Sequence, residues 1–265
     1  MNFDQNIQEW LGLLSPISLD DMSGIKLMNR TDTKFVTNKR KLSELLELAQ
    51  GQYFAQQIDG QRIANYRTTY WDTPSHRFFL EHHNARAPRQ KIRVRTYLDS
   101  NLTFLEVKTK NNHGRTKKKR ITVPSQERQD VVDAGGTPFI QGLTGATFDD
   151  IIPTVQNQFQ RITLVNYGKT ERLTIDFNVH FHNFETVRDE GTGELVIIEL
   201  KRDGNVFSPV LDILRQLRIK PSGFSKYCIG SVMTNDKLKN NLFKPKLVRI
   251  SKYTGTDFRL PQPSL

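Results

Sequence analysis

Cysteine is almost missing from this chain of 265 residues: Cys228 stands alone, no intrachain disulfide can form, and a cytoplasmic setting is the plain expectation. Long apolar runs are missing as well. No stretch approaches the roughly 20 apolar residues of a membrane span, and Met1-Asn2-Phe3-Asp4-Gln5 has neither the basic start nor the apolar core of a signal peptide. Gly135-Gly136 lacks the lysine and the strand–loop–helix setting of a phosphate-binding loop and reads as a turn. No carboxylate or cysteine spacing accompanies His180-x-His182, so a zinc site is not expected, and His82, His83 and His113 read as surface loop residues. Acidic residues are nearly absent from one long segment. Between Arg86 and Arg120 twelve Lys and Arg stand against Asp99 and Glu106, which puts almost the whole net charge of +11 in that segment.

The basic residues there are ordered. In Lys91-Ile92-Arg93-Val94-Arg95-Thr96-Tyr97 successive side chains of a strand point to opposite faces, so Lys91, Arg93 and Arg95 share one face and Ile92 and Val94 the other. Phe104-Leu105-Glu106-Val107-Lys108-Thr109-Lys110 repeats the pattern, and Thr116 to Val123, with Lys117, Lys118, Lys119 and Arg120, follows it. Like charges stacked on neighbouring strands repel unless an anion sits among them. The expected ligand is therefore anionic.

Elsewhere the spacing predicts a helix over residues 5–14, a strand at 29–36 with Arg30, Asp32 and Lys34 on one face, and a helix from Lys39 to about Gln50 capped by Asn38. Strands are expected at 66–72, 158–166, 172–180 and 194–202, with two short helices between Pro124 and Pro153. The run from Arg172 to His180 places Leu173, Ile175, Phe177 and Val179 on one face and Arg172, Thr174, Asp176, Asn178 and His180 on the other. Short helices are expected after Pro209 and after Ser225, with Cys228 a buried apolar residue on the second, and the tail from Lys244 to Leu265 is expected to be loosely ordered. A hydrophobic fraction of 36% with 16 Phe supports one sizeable core. Charged faces this numerous suit an α+β fold whose barrel is turned inside out, wet within and apolar outside, with a few helices over the apolar faces.

In order along the chain, Arg30-x-Asp32-x-Lys34, Tyr70-Trp71-Asp72-Thr73, Arg93-x-Arg95, Glu106-x-Lys108, Lys118-x-Arg120, Arg161, Arg172-x-x-x-Asp176, Glu199-x-Lys201 and Phe224-Ser225-Lys226-Tyr227 resemble the VTC-type polyphosphate polymerase domain of the CYTH-like triphosphate tunnel metalloenzymes. The resemblance places this domain at residues 29–235, between an N-terminal covering helix (1–28) and a basic tail (236–265). It implies a closed antiparallel barrel forming a basic tunnel, which moves the terminal phosphoryl group of ATP or another triphosphate to inorganic polyphosphate with Mn²⁺ or Mg²⁺. Catalytic roles are expected for Arg93, Arg95, Lys108, Lys201 and Lys226, and phosphate binding for Arg30, Lys34, Lys91, Lys118, Arg120, Arg161, Arg172 and Ser225. Glu199 is the expected metal ligand, since hard cations take carboxylate and phosphate oxygens; its other reading is a salt-bridge partner of Lys201 or Arg172. Asp32 and Asp176 are expected to organise neighbouring arginines.

Two departures from the family pattern stand out. Gly223 occupies a place where relatives can carry a basic residue, with Lys220 nearby as a substitute. No regulatory SPX segment or membrane segment accompanies the domain, so neither inositol phosphate control nor a translocation channel is expected. A triphosphatase on the same scaffold differs only in admitting water instead of phosphate as acceptor. A nucleic-acid module would need Lys and Arg outside with aromatic rings for stacking, and Tyr97 is the one aromatic on the Lys91–Arg95 face. That argues against nucleic acid.

Overall fold

The computed structural model describes residues 3–23, 25, 30–113, 115–204, 206–255 and 257–258, the side chains of Asp4, Gln5 and Arg30 excepted. In chain order the elements are α1 (Phe3–Gly12), β1 (Ser15–Ile17), α2 (Leu19–Ser23), β2 (Arg30–Asn38), α3 (Lys39–Leu48), β3 (Tyr53–Gln56), β4 (Ala64–Asp72), α4 (Arg77–His83), β5 (Arg89–Tyr97), β6 (Leu102–Lys110) and β7 (Thr116–Val123). There follow α5 (Arg128–Asp133), α6 (Gly136–Thr144), β8 (Ile152–Asn166), β9 (Glu171–Asn183), β10 (Arg188–Gly191), β11 (Leu195–Asp203), α7 (Pro209–Gln216), α8 (Lys226–Thr234) and α9 (Lys244–Thr254). No helix among the described residues is long and apolar enough to cross a membrane.

Eight strands form one antiparallel path, β2-β11-β9-β8-β4-β5-β6-β7, while β3 joins β8, β10 joins β9, and β1 adds to β3 in parallel. The expected barrel is not closed by hydrogen bonds: among the described residues β2 and β7 end the path without pairing to each other, and β2 meets on its other side a single bridge, Phe35 with Pro221. The reason lies in β7. Thr116 to Arg120 are exposed, with lysines on both faces, so this strand has little apolar surface to bury in a closing pair.

Alternation divides the sheet into an inner and an outer face. Leu173, Ile175, Phe177, Ile198 and Leu200 lie outside under α1, α3 and α7, whose Leu11, Leu42, Leu45 and Leu214 are buried against them. Trp71, Ile92, Val94, Leu105 and Val107 lie outside under α5 and α6, with Val131 and Ile140 packed in. Asn38 caps α3 as expected, its Oδ1 accepting from the Lys41 amide at 3.0 Å.

The expected alternation of β9 breaks at Asn178. Its φ of 50° accompanies a register shift opposite Gln158–Gln160, and the extra residue moves Val179 and Phe181 to the inner face. There they join Tyr66, Tyr70, Val155, Phe159 and Ile197 under α8 and α9, so half of the inner face is apolar and filled by helices. The tail is more ordered than expected. Pro245 sits in the first turn of α9, where its missing N–H costs nothing, and Leu247 and Ile250 are buried in this cluster; residues 259–265 lie outside those described. His83 also departs from expectation: it is buried on α4, against Phe79 and Phe243.

Helix α8 sits close to the sheet because Gly230 has no side chain. A Cβ there would collide with the Phe181 ring. Gly230→Ala is therefore expected to destabilise the fold by about 1–3 kcal/mol despite alanine's better helix propensity; a thermal melt showing equal or greater stability would mean the helix is not seated on Phe181.

Candidate anion-binding site

The other half of the inner face is charged. Lys91, Arg93 and Arg95 of β5 stand in register with Lys108, Glu106 and Phe104 of β6, which face Lys118, Arg120 and Thr122 of β7. On the far strands Arg161 pairs with Asp176, Glu199 stands between Thr174 and Lys34, and Lys201 between Arg172 and Asp32. Lys34 of β2 acts on Lys91 and Lys108 of β5 and β6, strands distant from it in sheet order, so the sheet curls to bring these rows together.

Three carboxylates each bind two cations. Glu106, 1% exposed, accepts from Arg93 Nη2 at 2.6 Å and Lys118 Nζ at 2.7 Å. Asp176 accepts from Arg161 Nε at 2.6 Å and Nη2 at 2.9 Å, and from Lys226. Glu199 lies 3.2 Å from Lys34 and 3.1 Å from Lys201. Burial opposes ionisation of all three, yet the cations win: Glu106 is held at about 2, and Asp176 and Glu199 well below the usual carboxylate range.

Cations remain in excess. No carboxylate among the described residues lies within salt-bridge distance of Lys91, Arg95 or Lys108. Burial, then the neighbouring positive charges of Lys34 and Arg93, pulls Lys91 and Lys108 down to about 8. Burial also brings Lys226 to about 8 in spite of Asp176, and burial with Arg93 and Arg161 brings Arg95 to about 10. Arg95 is supported by neutral groups: Nε donates to Thr68 Oγ1 at 3.0 Å, and the guanidinium lies 5.6 and 5.8 Å from the rings of Tyr66 and Phe159. The same two rings, stacked at 5.0 Å, carry Arg161, and Phe159 carries Lys226 at 4.2 Å.

Helix α8 brings its N-terminus to this cluster. The Ser225 cap accepts from the Cys228 amide and, at 2.9 Å, from Lys91 Nζ. Behind it Tyr227 donates to Asp72, whose carboxylate accepts the Phe78 and Phe79 amides at 2.9 and 2.8 Å and so caps α4. Tyr70 stacks on Tyr227 at 4.9 Å and fixes the ring from the sheet side. A helix N-terminus beside excess cations attracts anions.

Of the expected residues, Lys34, Lys91, Arg93, Arg95, Lys108, Lys118, Arg120, Arg161, Arg172, Glu199, Lys201, Ser225 and Lys226 are brought to this face or its rim. The Arg30 side chain lies outside those described. Three features escaped the sequence reading: the Tyr66–Phe159 floor, the Asp72–Tyr227 anchor, and Lys246 of α9, whose Nζ lies 3.9 Å from where a Gly223 Cβ would be. Strand alternation marks Tyr66 and Phe159 as inward-facing once the register is known. Lys246 carries no such signal, being far away in the chain.

The model of the VTC domain family matches residues 29–235. The chain belongs to the VTC domain family. No curated protein matches it. Among solved structures, a putative adenylate cyclase from Bacillus halodurans is similar at 13% identity and a TM-score of 0.49, over 75% of this chain and 96% of that one. A putative adenylyl cyclase from Hippeastrum, described as having a dominant triphosphatase activity, is similar at 14% identity and a TM-score of 0.48, over 77% of this chain and 95% of that one. These likenesses concern the course of the backbone and carry nothing about activity.

Excess charge has a cost in the free VTC domain. Lys91, Lys108 and Lys226 lose their protons near pH 8 when folded and near 10.4 when unfolded. Between these values the unfolded chain binds more protons, so the ligand-free protein is expected to gain stability as pH rises from about 8 to about 10. Urea unfolding at constant ionic strength checks this; a midpoint that falls steadily over the interval would contradict it.

Proposed function

We propose that this VTC domain is a polyphosphate polymerase-like phosphotransferase that moves the terminal phosphoryl group of ATP to a polyphosphate chain on its inner face. The observation that carries the reading is the excess of Lys91, Arg95 and Lys108 over the carboxylates that hold Lys34, Arg93, Lys118, Arg161, Lys201 and Lys226. Phosphoryl transfer needs little covalent chemistry from a protein and is promoted by positioning and by stabilising charge on the transferred group. Arg93 and Arg95 offer planar donor forks for phosphate oxygens, while Lys91, Lys108, Lys201 and Lys226 act as point charges. The nucleophile is then a terminal phosphate of the chain. Ser225, engaged as a helix cap and by Lys91, is read as a binding group.

The family implies a divalent metal. Among the described residues no three His, Cys, Asp or Glu converge as a ready-made site. Glu199, between Lys34 and Lys201, would be the residue to hold a Mg²⁺ or Mn²⁺, a hard cation suited to a carboxylate oxygen. Such an ion would supply charge neutralisation to bound phosphates.

Incubation of the purified protein with ATP and Mn²⁺, with products resolved on a gel, tests the reading: long chains support it, free phosphate assigns a triphosphatase instead, and no change leaves binding alone. Glu199→Gln is expected to lower metal-dependent turnover about 100-fold while the fold and polyanion binding survive; normal turnover at low metal would make Glu199 a structural ion-pair partner.

Arg93 and Arg95 separate by their partners. Arg95→Met removes a buried charge that has no carboxylate within salt-bridge distance among the described residues, so tripolyphosphate affinity is expected to fall by about 1.5–3 kcal/mol with stability unchanged or higher. Arg93→Met leaves Glu106 with Lys118 alone and is expected to lose stability as well. Calorimetric titration and thermal melts of the two variants check this; equal destabilisation would show that Arg95 is structural.

A further inference from the structure

The basic residues do not all face inward. From Val107 to Gln126 there is no Asp or Glu, while Lys108, Lys110, Arg115, Lys117, Lys118, Lys119 and Arg120 lie in this span. Among the described residues the ion pair these seven make is Lys118 with Glu106. Register puts Lys118 and Arg120 on the inner face opposite Lys108 and Glu106, and Lys117 and Lys119 on the outer face opposite Thr109 and Val107. All four are exposed, and among the described residues β7 has no strand on its other side. The outer helices cover Ile121 and Val123 but leave Lys117 and Lys119 bare. A path of positive charge therefore runs from the inner face over a free edge to the outside.

We propose that the free edge of β7 is a track for long linear polyanions of the polyphosphate class: a chain too long for the inner face leaves it past Lys118 and Arg120 and continues along Lys117 and Lys119. The proposal rests on the reading of the inner face as a phosphate site and adds the surface on which a chain longer than that face continues. Linear polyphosphate is favoured over single-stranded nucleic acid because the outer side of β7 presents no aromatic side chain for bases to stack on. The bland account of Lys117 and Lys119 is that lysines on an edge strand deter sheet-to-sheet aggregation. The two accounts differ in what the lysines do to affinity.

The test compares Lys117→Gln/Lys119→Gln with the unaltered protein, neither residue belonging to the inner-face cluster. Affinities for tripolyphosphate, long-chain polyphosphate and single-stranded DNA are measured over a range of salt concentrations. The expected result is tighter binding of the long chain than of tripolyphosphate. In the double variant long-chain affinity should fall about tenfold, its log–log salt slope by about one unit per lysine, and tripolyphosphate affinity should stay the same. Unchanged long-chain affinity in the variant, with or without aggregation, overturns the proposal. So does DNA that binds as tightly as the long chain and loses as much, which would make the edge a nucleic-acid surface. If the unaltered protein binds the long chain but not tripolyphosphate, the inner-face reading fails, and the edge assignment stands only where the double variant loses long-chain affinity.

Discussion

The structure depends on three carboxylates placed where they each hold two cations. Glu106, Asp176 and Glu199 lie on three different strands of the inner face, and each bridges a strand neighbour to a second cation from β7, α8 or β2. Without them a row of guanidinium and ammonium groups would have to share a half-buried surface at the cost of mutual repulsion. With them, repulsion is reduced but not cancelled. Among the described residues Lys91, Lys108 and Arg95 have no carboxylate within salt-bridge distance, and that deficit of negative charge is what the proposed phosphate binding rests on.

The apolar half of the same face is what keeps this arrangement rigid. Tyr66 and Phe159 are covered on one side by the packing around α8 and support Arg95, Arg161 and Lys226 on the other. Asp72, a buried carboxylate engaged by three amides and the Tyr227 hydroxyl, ties α4 to α8 and so fixes where Ser225 and Lys226 stand. Charge and packing thus cooperate: the side chains that offer donors are those whose planes and stems are held by rings and helix ends. Preorganisation of this kind lowers the cost of ordering flexible basic side chains when a ligand binds.

Much of this is legible in the alternation of β5 and β6, where Lys91, Arg93, Arg95, Glu106 and Lys108 take turns with Ile92, Val94, Leu105 and Val107, so that the inward rows can be read directly. The same rule misled at β9, because a single residue in positive φ at Asn178 reverses every later side chain and nothing in the local pattern marks it. Closure of the barrel was not legible for a related reason: strand pairing depends on whether the two edges have apolar faces to share, and β7 spends both of its faces on lysine. The tail was misjudged from its charge. Leu247 and Ile250 lie three apart and fill the inner face from a helix that looks basic because its other side is, and the covering partners of such short amphipathic helices are visible only in three dimensions.

The central claim is that the inner face holds positive charge in excess, with lysines partly discharged until phosphate arrives. Calorimetric titration with tripolyphosphate at pH 8, in two buffers of different ionisation enthalpy, measures this directly. The account predicts net proton uptake at pH 8, as Lys91, Lys108 and Lys226 are recharged by the bound phosphates, and none of it at pH 6, where they are already protonated. Binding at pH 8 with no proton uptake, or no binding at either pH, would contradict it.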